Sequence, residues 1–243
     1  MDRNLFQIYL SDADESLPPP LRKMQDLHLE VFKNYKYSFY GLRELRSFIQ
    51  RFFAPPVLEA YDSLRPYAYK ADLGRYCLVY YYGGWYSDIT LKPLMICNPD
   101  ENASLIYFYD HGNGASQALH GCQNGLFYAS RKHPVLADAI DQIIKNCKSK
   151  YYGPNPLSPT GPNLFGNKIV NYSPSSGVYF GYFRPLTPDF KKLNRAYVGP
   201  SGDIVALHKT AWSPNSFNGS LESFGAKGVN NYLTMWLHRQ VYV

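Results

Sequence analysis

The chain has 243 residues, 45% hydrophobic and 18% charged, which suits one folded domain with a sizeable core and excludes a disordered polypeptide. Its formal charge of +6, with no Lys/Arg-dense helix, is too mild to imply a nucleic-acid partner, and no apolar stretch approaches the roughly 20 residues that cross a bilayer. Aromatic residues reach 16%, with 23 Tyr, 14 Phe and 3 Trp, so many rings with polar tips need both apolar contact and hydrogen bonds.

The opening stretch MDRNLFQIYLSDADE carries acids where a secretory signal has a long apolar core. Residues 4–10, NLFQIYL, read as a buried strand that ends in a polar loop at Asp12 and Asp14. Pro18, Pro19 and Pro20 then lead into Leu21, Met24, Leu27 and Val31, a helical spacing that predicts a helix over 19–34. Residues 35–40 read as a second strand. Two short helices follow, 42–53 and 55–64, split by Pro55-Pro56. In 71–82, Leu73, Tyr76, Cys77, Tyr80 and Tyr81 recur at helical spacing and predict one core-facing stripe. Gly83 and Gly84 stand where a helix end favours glycine, and WYSDITL resumes as an extended run. Strands are expected at 104–109 and 125–130, and a helix at 134–147. Asp110 and His111, in YDHGNG, read as a turn. From 151 to 203 proline, glycine and asparagine predict a loop-rich region with strands at 177–183 and 204–208. Alternating strands and helices over the first 150 residues point to an α/β sandwich with an irregular elaboration. Cys77, Cys97, Cys122 and Cys147 form no CxxC pair, so free thiols in a reducing cytoplasm are expected rather than a zinc site or disulfides.

The strongest chemical signal lies in Lys70 to Leu94, KADLGRYCLVYYYGGWYSDITLKPL. Asp72 and Arg75 stand three apart on a predicted helix, on the face opposite the tyrosine stripe, and Asp88 follows the Gly-Gly turn at a strand end. Three polar groups thereby converge at a sheet edge, where α/β folds bind ligands. A carboxylate and a guanidinium grip sugar hydroxyls in fixed geometry, and a second carboxylate can hold a divalent cation that neutralises a diphosphate. Asp72 and Arg75 alone would read as a surface ion pair of little energy; the Gly-Gly turn and Asp88 at that spacing favour the functional reading.

The order Ala71-Asp72, Arg75-Tyr76, Gly83-Gly84-Trp85-Tyr86 and Asp88 resembles the DXD-containing sugar transferases, family 32 of the glycosyltransferases. That family includes fungal initiating mannosyltransferases and bacterial polysaccharide transferases, and the segment is also similar to the clostridial glucosylating toxins. Looser echoes are Gln7-Ile8-Tyr9, Gln123-Asn124-Gly125 before His133-Pro134, Thr160-Gly161-Pro162, and His208 with Trp212. The resemblance implies a GT-A fold: one domain over 1–243 with a Rossmann-like mixed sheet flanked by helices. Residues 1–150 would bind the nucleotide sugar, and the loop-rich 151–243 would close the site and take the acceptor. It implies a retaining hexosyltransferase acting in polysaccharide biosynthesis, with a nucleoside diphosphate sugar as donor and a glycan or glycolipid as acceptor.

Carried over residue by residue, Asp72 and Arg75 would hold the donor sugar, and Asp88 the diphosphate and its Mn²⁺ or Mg²⁺. Ile8 and Tyr9 would line the base, while His208 and Trp212 close over the phosphates. Gly84 and Asn124 would also border the donor. The chain departs from the pattern at Thr90, where the second Asp of Asp-x-Asp belongs. A neutral hydroxyl is a weak ligand for Mn²⁺ or Mg²⁺. Three arrangements follow: metal held by Asp88, His208 and the diphosphate with Thr90 peripheral; Lys209 in place of the metal; or a degenerate site that binds nucleotide sugar or carbohydrate without turnover. A cytoplasmic enzyme is the expectation, and the basic balance also suits peripheral contact with an anionic membrane. Tyrosines in 35–40, 151–152 and 179–182 are candidates for an acceptor groove.

Overall fold

A computed structural model describes residues 1–13, 16–98, 100–110, 121–172, 176–186, 194–213 and 221–243. A nine-stranded mixed sheet runs through these residues in the order β2-β1-β3-β6-β5-β7-β8-β9-β4. The first half supplies β1 (Asn4–Ile8), β2 (Lys36–Tyr40), β3 (Gly84–Ser87), β4 (Lys92–Pro93), β5 (Leu105–Asp110) and β6 (Cys122–Ala129). The second half adds β7 (Val178–Pro185), β8 (Arg195–Val198) and β9 (Ile204–Leu207) to the same sheet. Residues 151–243 are thus more regular than their proline content predicts, because β7 is drawn in beside β5 along its whole length.

β1 lies parallel to β2 and β3, while β6 runs antiparallel to both β3 and β5, and β7 is parallel to β5. The C-terminal ends of β1, β3, β5 and β7 therefore share one edge of the sheet.

The helices are α1 (Pro19–Val31), α2 (Leu42–Phe52), α3 (Pro55–Ser63), α4 (Tyr67–Tyr82), α5 (Pro134–Lys148), α6 (Pro162–Val170), α7 (Lys209–Trp212) and α8 (Tyr232–Leu237). Those expected before residue 150 form close to their predicted bounds. Proline opens α1, α3 and α5, where its missing N–H costs nothing. α4 starts four residues earlier than the stripe predicts and ends at Gly83, whose φ of +70° suits glycine. The extended run after Gly84 stops at Ser87, where the backbone turns and Leu91 N–H donates to Asp88 O at 3.0 Å. α6 was hidden by its loop-like surroundings. Asp110 ends β5, and His111 with the rest of the predicted turn lies outside the described residues.

Asp72 and Arg75 form no surface ion pair: they are 7% and 6% exposed. α4 is packed on several sides, by β1, β3 and β6 and by α2, α5 and α8. Its apolar residues pack on both strands and helices, Lys70 donates to Tyr61 O, and Asp72 and Arg75 turn to the sheet edge. Gly74 makes the α2 contact close, since a Cβ there would sit 2.5 Å from a Leu45 methyl. The four cysteines are unpaired and buried. Among the described residues no helix is long and apolar enough to cross a membrane.

His28 ties α1 to β3. Its Nδ1 lies 2.8 Å from Met24 O, an acceptor, which puts a proton on Nδ1, and its Nε2 lies 2.7 Å from Ser87 Oγ. Burial lowers its pKa from 6.5 to about 4, outweighing the backbone bond to Met24 and the charge of Asp88. The unfolded chain thus binds a proton between pH 6.5 and about 4 that the fold refuses, and stability falls as pH falls through that window. The melting temperature is expected to decline there, and less steeply in His28→Gln. Identical slopes would show that His28 does not carry the effect.

Candidate active site

The N-terminal half of α4 and the end of β3 converge on one guanidinium. Arg75 Nη1 donates to Asn124 O at 2.8 Å and lies 3.3 Å from Asp88 Oδ1. Its Nη2 lies 3.4 Å from Asp72 Oδ1, and its Nε donates back to Ala71 O at 3.2 Å. The Tyr86 ring underlies it, 4.5 Å from centroid to guanidinium carbon. Planar, delocalised and permanently charged, Arg can serve this many acceptors at once where Lys cannot. The two carboxylates raise its pKa further against burial, with Asp88 the larger influence.

Asp72 is held on every side. Oδ1 accepts from Asn124 Nδ2 at 2.8 Å, and Oδ2 from Thr160 Oγ1 at 2.7 Å. Burial raises its pKa, while Arg75, Thr160 and Asn124 each hold it down. Asn124 Nδ2 also donates to the Tyr76 hydroxyl at 2.9 Å, and that hydroxyl donates to Thr160 O at 3.3 Å. Tyr76 is therefore not ordinary core: its ring stacks on Phe165 of α6 while its tip joins the polar cluster.

Asp88 differs from Asp72 in being reachable. Its side chain is 35% exposed, and Tyr86 donates to its Oδ1 at 2.7 Å. Gly125 gives it room, since a Cβ there would lie 2.7 Å from Oδ2. Beside it opens a cleft of about 180 Å³. Its lining includes Ile8, Ala71, Arg75, Tyr86, Asp88 and Thr90 from the first half of the chain, the near wall, and Lys209, Leu221, Val229, Asn230 and Tyr232 from the second half, the far wall. Burial lowers the pKa of Lys209 and the charge of Asp88 opposes that shift.

The far wall is strapped down. Trp212 Nε1 donates to Thr90 O at 3.0 Å, Ser11 Oγ to Lys227 O at 2.6 Å, and Asp12 N–H to Gly228 O at 2.8 Å. Asn230 Oδ1 accepts the N–H of Tyr67 at 2.8 Å, capping α4 from the C-terminal segment.

Not every residue singled out in the sequence reaches the cleft. Ile8, Arg75, Asp88, Thr90 and Lys209 line it. Asp72 and Asn124 stand one layer behind Arg75. Tyr9 belongs to a small core with Leu21, Ile89 and Phe224, and Gly84 packs against Asn4. Trp212 rests on Phe224 and grips the Asp88–Thr90 turn from behind. His208 caps α7 through Nδ1, and its ring edge meets Phe183. Burial, with the charges of Lys209 and Arg195, pushes its pKa down to about 3. Tyr86 stood in the Gly-Gly motif without an assigned role, while sequence spacing gave no sign of Asn230 or Tyr232, because their place arises from distant segments meeting.

Among the described residues no group of three His, Cys, Asp or Glu could hold a metal ion. Mg²⁺ and Mn²⁺ in phosphate sites need only one or two protein carboxylates, the remainder being phosphate oxygens and water. Asp88, half-exposed at the cleft, fits that part as a single carboxylate ligand; buried Asp72 does not.

Comparison with known proteins agrees with the resemblance read from Lys70 to Leu94. Residues 23–103 match the family described as glycosyltransferase sugar-binding region containing DXD motif. The chain is 29% identical over 218 residues to an uncharacterised glycosyltransferase of Acanthamoeba polyphaga mimivirus, covering 87% of this chain and 83% of that one. It is 24% identical over 203 residues to the initiation-specific alpha-1,6-mannosyltransferase of Candida albicans, covering 70% of this chain and 52% of that protein. A looser likeness, TM-score 0.48 at 15% identity, exists to the PaToxG glycosyltransferase structure over 70% of this chain and 69% of that one. Residues 23–103 are thus similar to the sugar-binding region of DXD glycosyltransferases, with Thr90 in the second Asp position.

Proposed function

We propose that this chain, a glycosyltransferase by its sugar-binding region, is a retaining hexosyltransferase of GT-A type that uses a nucleoside diphosphate sugar. The observation that carries the reading is Arg75, held between Asp72 and Asp88 at the wall of a cleft closed by Lys209. In the reaction the bond from the anomeric carbon to the diphosphate oxygen breaks as the bond to the acceptor hydroxyl forms, and the acceptor proton passes to the departing diphosphate. Negative charge grows on the leaving group while the anomeric carbon becomes cation-like, so fixed charges placed beforehand lower the barrier.

Arg75 and Lys209 would face the diphosphate end, and Asp88, 3.3 Å from Arg75, would stand where diphosphate and sugar meet. Asp88 would hold a divalent ion through one carboxylate oxygen, and the ion when bound would add positive charge to the leaving side. Asp72, Asn124 and Thr160 orient Arg75. Ile8 of the first strand offers an apolar rest for the base. Attack from the face of departure requires no enzymic nucleophile, and retention follows from that. We extend the proposal to one transferase domain spanning the chain, in a cytoplasmic setting that the unpaired, buried cysteines support.

Thr90 favours a second reading, a binding module without turnover. A panel of nucleotide sugars, followed by thermal shift and by donor hydrolysis with and without Mn²⁺, separates the two. A diphosphate sugar that raises the melting temperature and is slowly hydrolysed is the expected result. Binding without hydrolysis under every condition supports the module, and no binding overturns both. Gly125→Ala sharpens the test. Its Cβ would meet the flexible end of Asp88 at 2.7 Å and the Tyr197 hydroxyl at 3.2 Å, so the melting temperature stays within a few degrees while donor hydrolysis falls by roughly tenfold or more. A fully active Gly125→Ala would remove Asp88 from the site.

A further inference from the structure

Beyond the cleft, β5 and β7 pair in register, with Tyr107 opposite Phe180 and Tyr109 opposite Tyr182. Residues paired across a sheet share a face, so these four rings lie together, and Arg184 follows two residues beyond Tyr182. The Tyr107 and Phe180 rings are 6.0 Å apart at 31°, and Phe180 meets Tyr182 edge-on at 5.7 Å. The Arg184 guanidinium lies 5.2 Å over the Tyr182 ring, and Phe180 is 47% exposed.

This face is continuous with the site. Tyr109 pairs with Cys122 on β6, and Asn124, two residues on, turns to Asp72. Tyr109, Tyr182 and Arg184 stand at the C-terminal ends of their strands, the same edge at which Asp88 follows β3. Neighbouring strands are about 4.8 Å apart, so the rings begin roughly one sugar width from the strand that carries Asn124.

We propose that this aromatic face binds the acceptor, and that the acceptor is an oligosaccharide. The inference rests on the transferase reading for its word acceptor. A pyranose ring has an apolar C–H face and a rim of hydroxyls. Phe180 and Tyr107 match the face, while the tyrosine hydroxyls and the Arg184 fork match the rim. An exposed Phe180 flanked by half-buried tyrosine rings and a cation suits a sugar chain laid along the sheet toward the cleft.

The test uses the full chain without nucleotide sugar, on an array of neutral and uronic-acid hexasaccharides, with the best binder measured by calorimetry. Phe180→Ala and Arg184→Ala should each raise Kd by about tenfold with the near-UV circular dichroism preserved, and Leu237→Ala, an exposed leucine on α8, should not. A chain that binds nucleotide sugar but no oligosaccharide, or binds one with unchanged Kd in both variants, overturns the acceptor face and leaves the transferase reading standing. Oligosaccharide binding lost in both variants, in a chain that binds no nucleotide sugar, supports the sugar face and overturns the transferase.

Discussion

Asp88→Asn is expected to lower kcat/KM for sugar transfer by about 100-fold or more while the melting temperature moves by only a few degrees. The side chain is half-exposed, so little of the fold depends on its charge. Asparagine keeps the shape and an oxygen for the Tyr86 hydroxyl. It removes the negative charge beside Arg75 and Lys209, leaving two cations at the cleft and only buried Asp72, behind Arg75, to offset them. Affinity for the diphosphate itself should therefore hold or rise while turnover collapses, a split that steady-state kinetics and nucleotide thermal shift read separately. If Asp88 also takes a metal ion, added Mn²⁺ will no longer stimulate the variant. Unchanged kcat/KM would remove Asp88 from the chemistry.

Arg75→Met should damage both stability and activity. Asp72 and Asp88 lose their shared cation, and removing one partner from a buried ion pair costs about 3–5 kcal/mol. Denaturant unfolding should show that loss as a lower midpoint with an unchanged slope. Burial already raises the pKa of Asp72, and Arg75 is the largest influence holding it down. Without Arg75 the carboxyl rises further, so any residual activity that needs Asp72 ionised shifts its acidic limb to higher pH. Arg75→Lys tests geometry against charge: one ammonium cannot reach Asn124 O, Asp72 and Asp88 together, and transfer should stay at least about tenfold down. Wild-type transfer and stability in Arg75→Met would dismantle the site as described.

Much of this was legible in the sequence, for reasons that can be named. Proline starts, glycine stops and 3.6-residue periodicity placed α1 to α5, because each is decided by neighbours within a turn or two. The segment from Asp72 to Asp88 was legible because helix, glycine pair and strand fix its geometry locally. The inside position of Asp72 and Arg75 was not. A helix covered on most sides has no polar face, so periodicity separates these two residues from the tyrosine stripe but carries neither their burial nor their pairing with Asn124. Thr160 appeared only as a faint echo, since its bond to Asp72 spans 88 positions of chain. Asn230 and Tyr232 carried no local signal, as their place depends on a strap anchored at Ser11, Asp12 and Tyr67.

That strap has a consequence for how the protein is made. The near wall of the cleft comes from residues 8 to 90, and the far wall is completed at Tyr232. On the ribosome the charged cluster around Arg75 can assemble once Thr160 has emerged, but the cleft beside it stays an open trough until Tyr232 has emerged too. Contacts of such long sequence separation form late. Nascent chains stalled before about residue 213 should thus pack α4 against the sheet yet leave the apolar trough uncovered, which makes that interval the one in which a chaperone has most to protect.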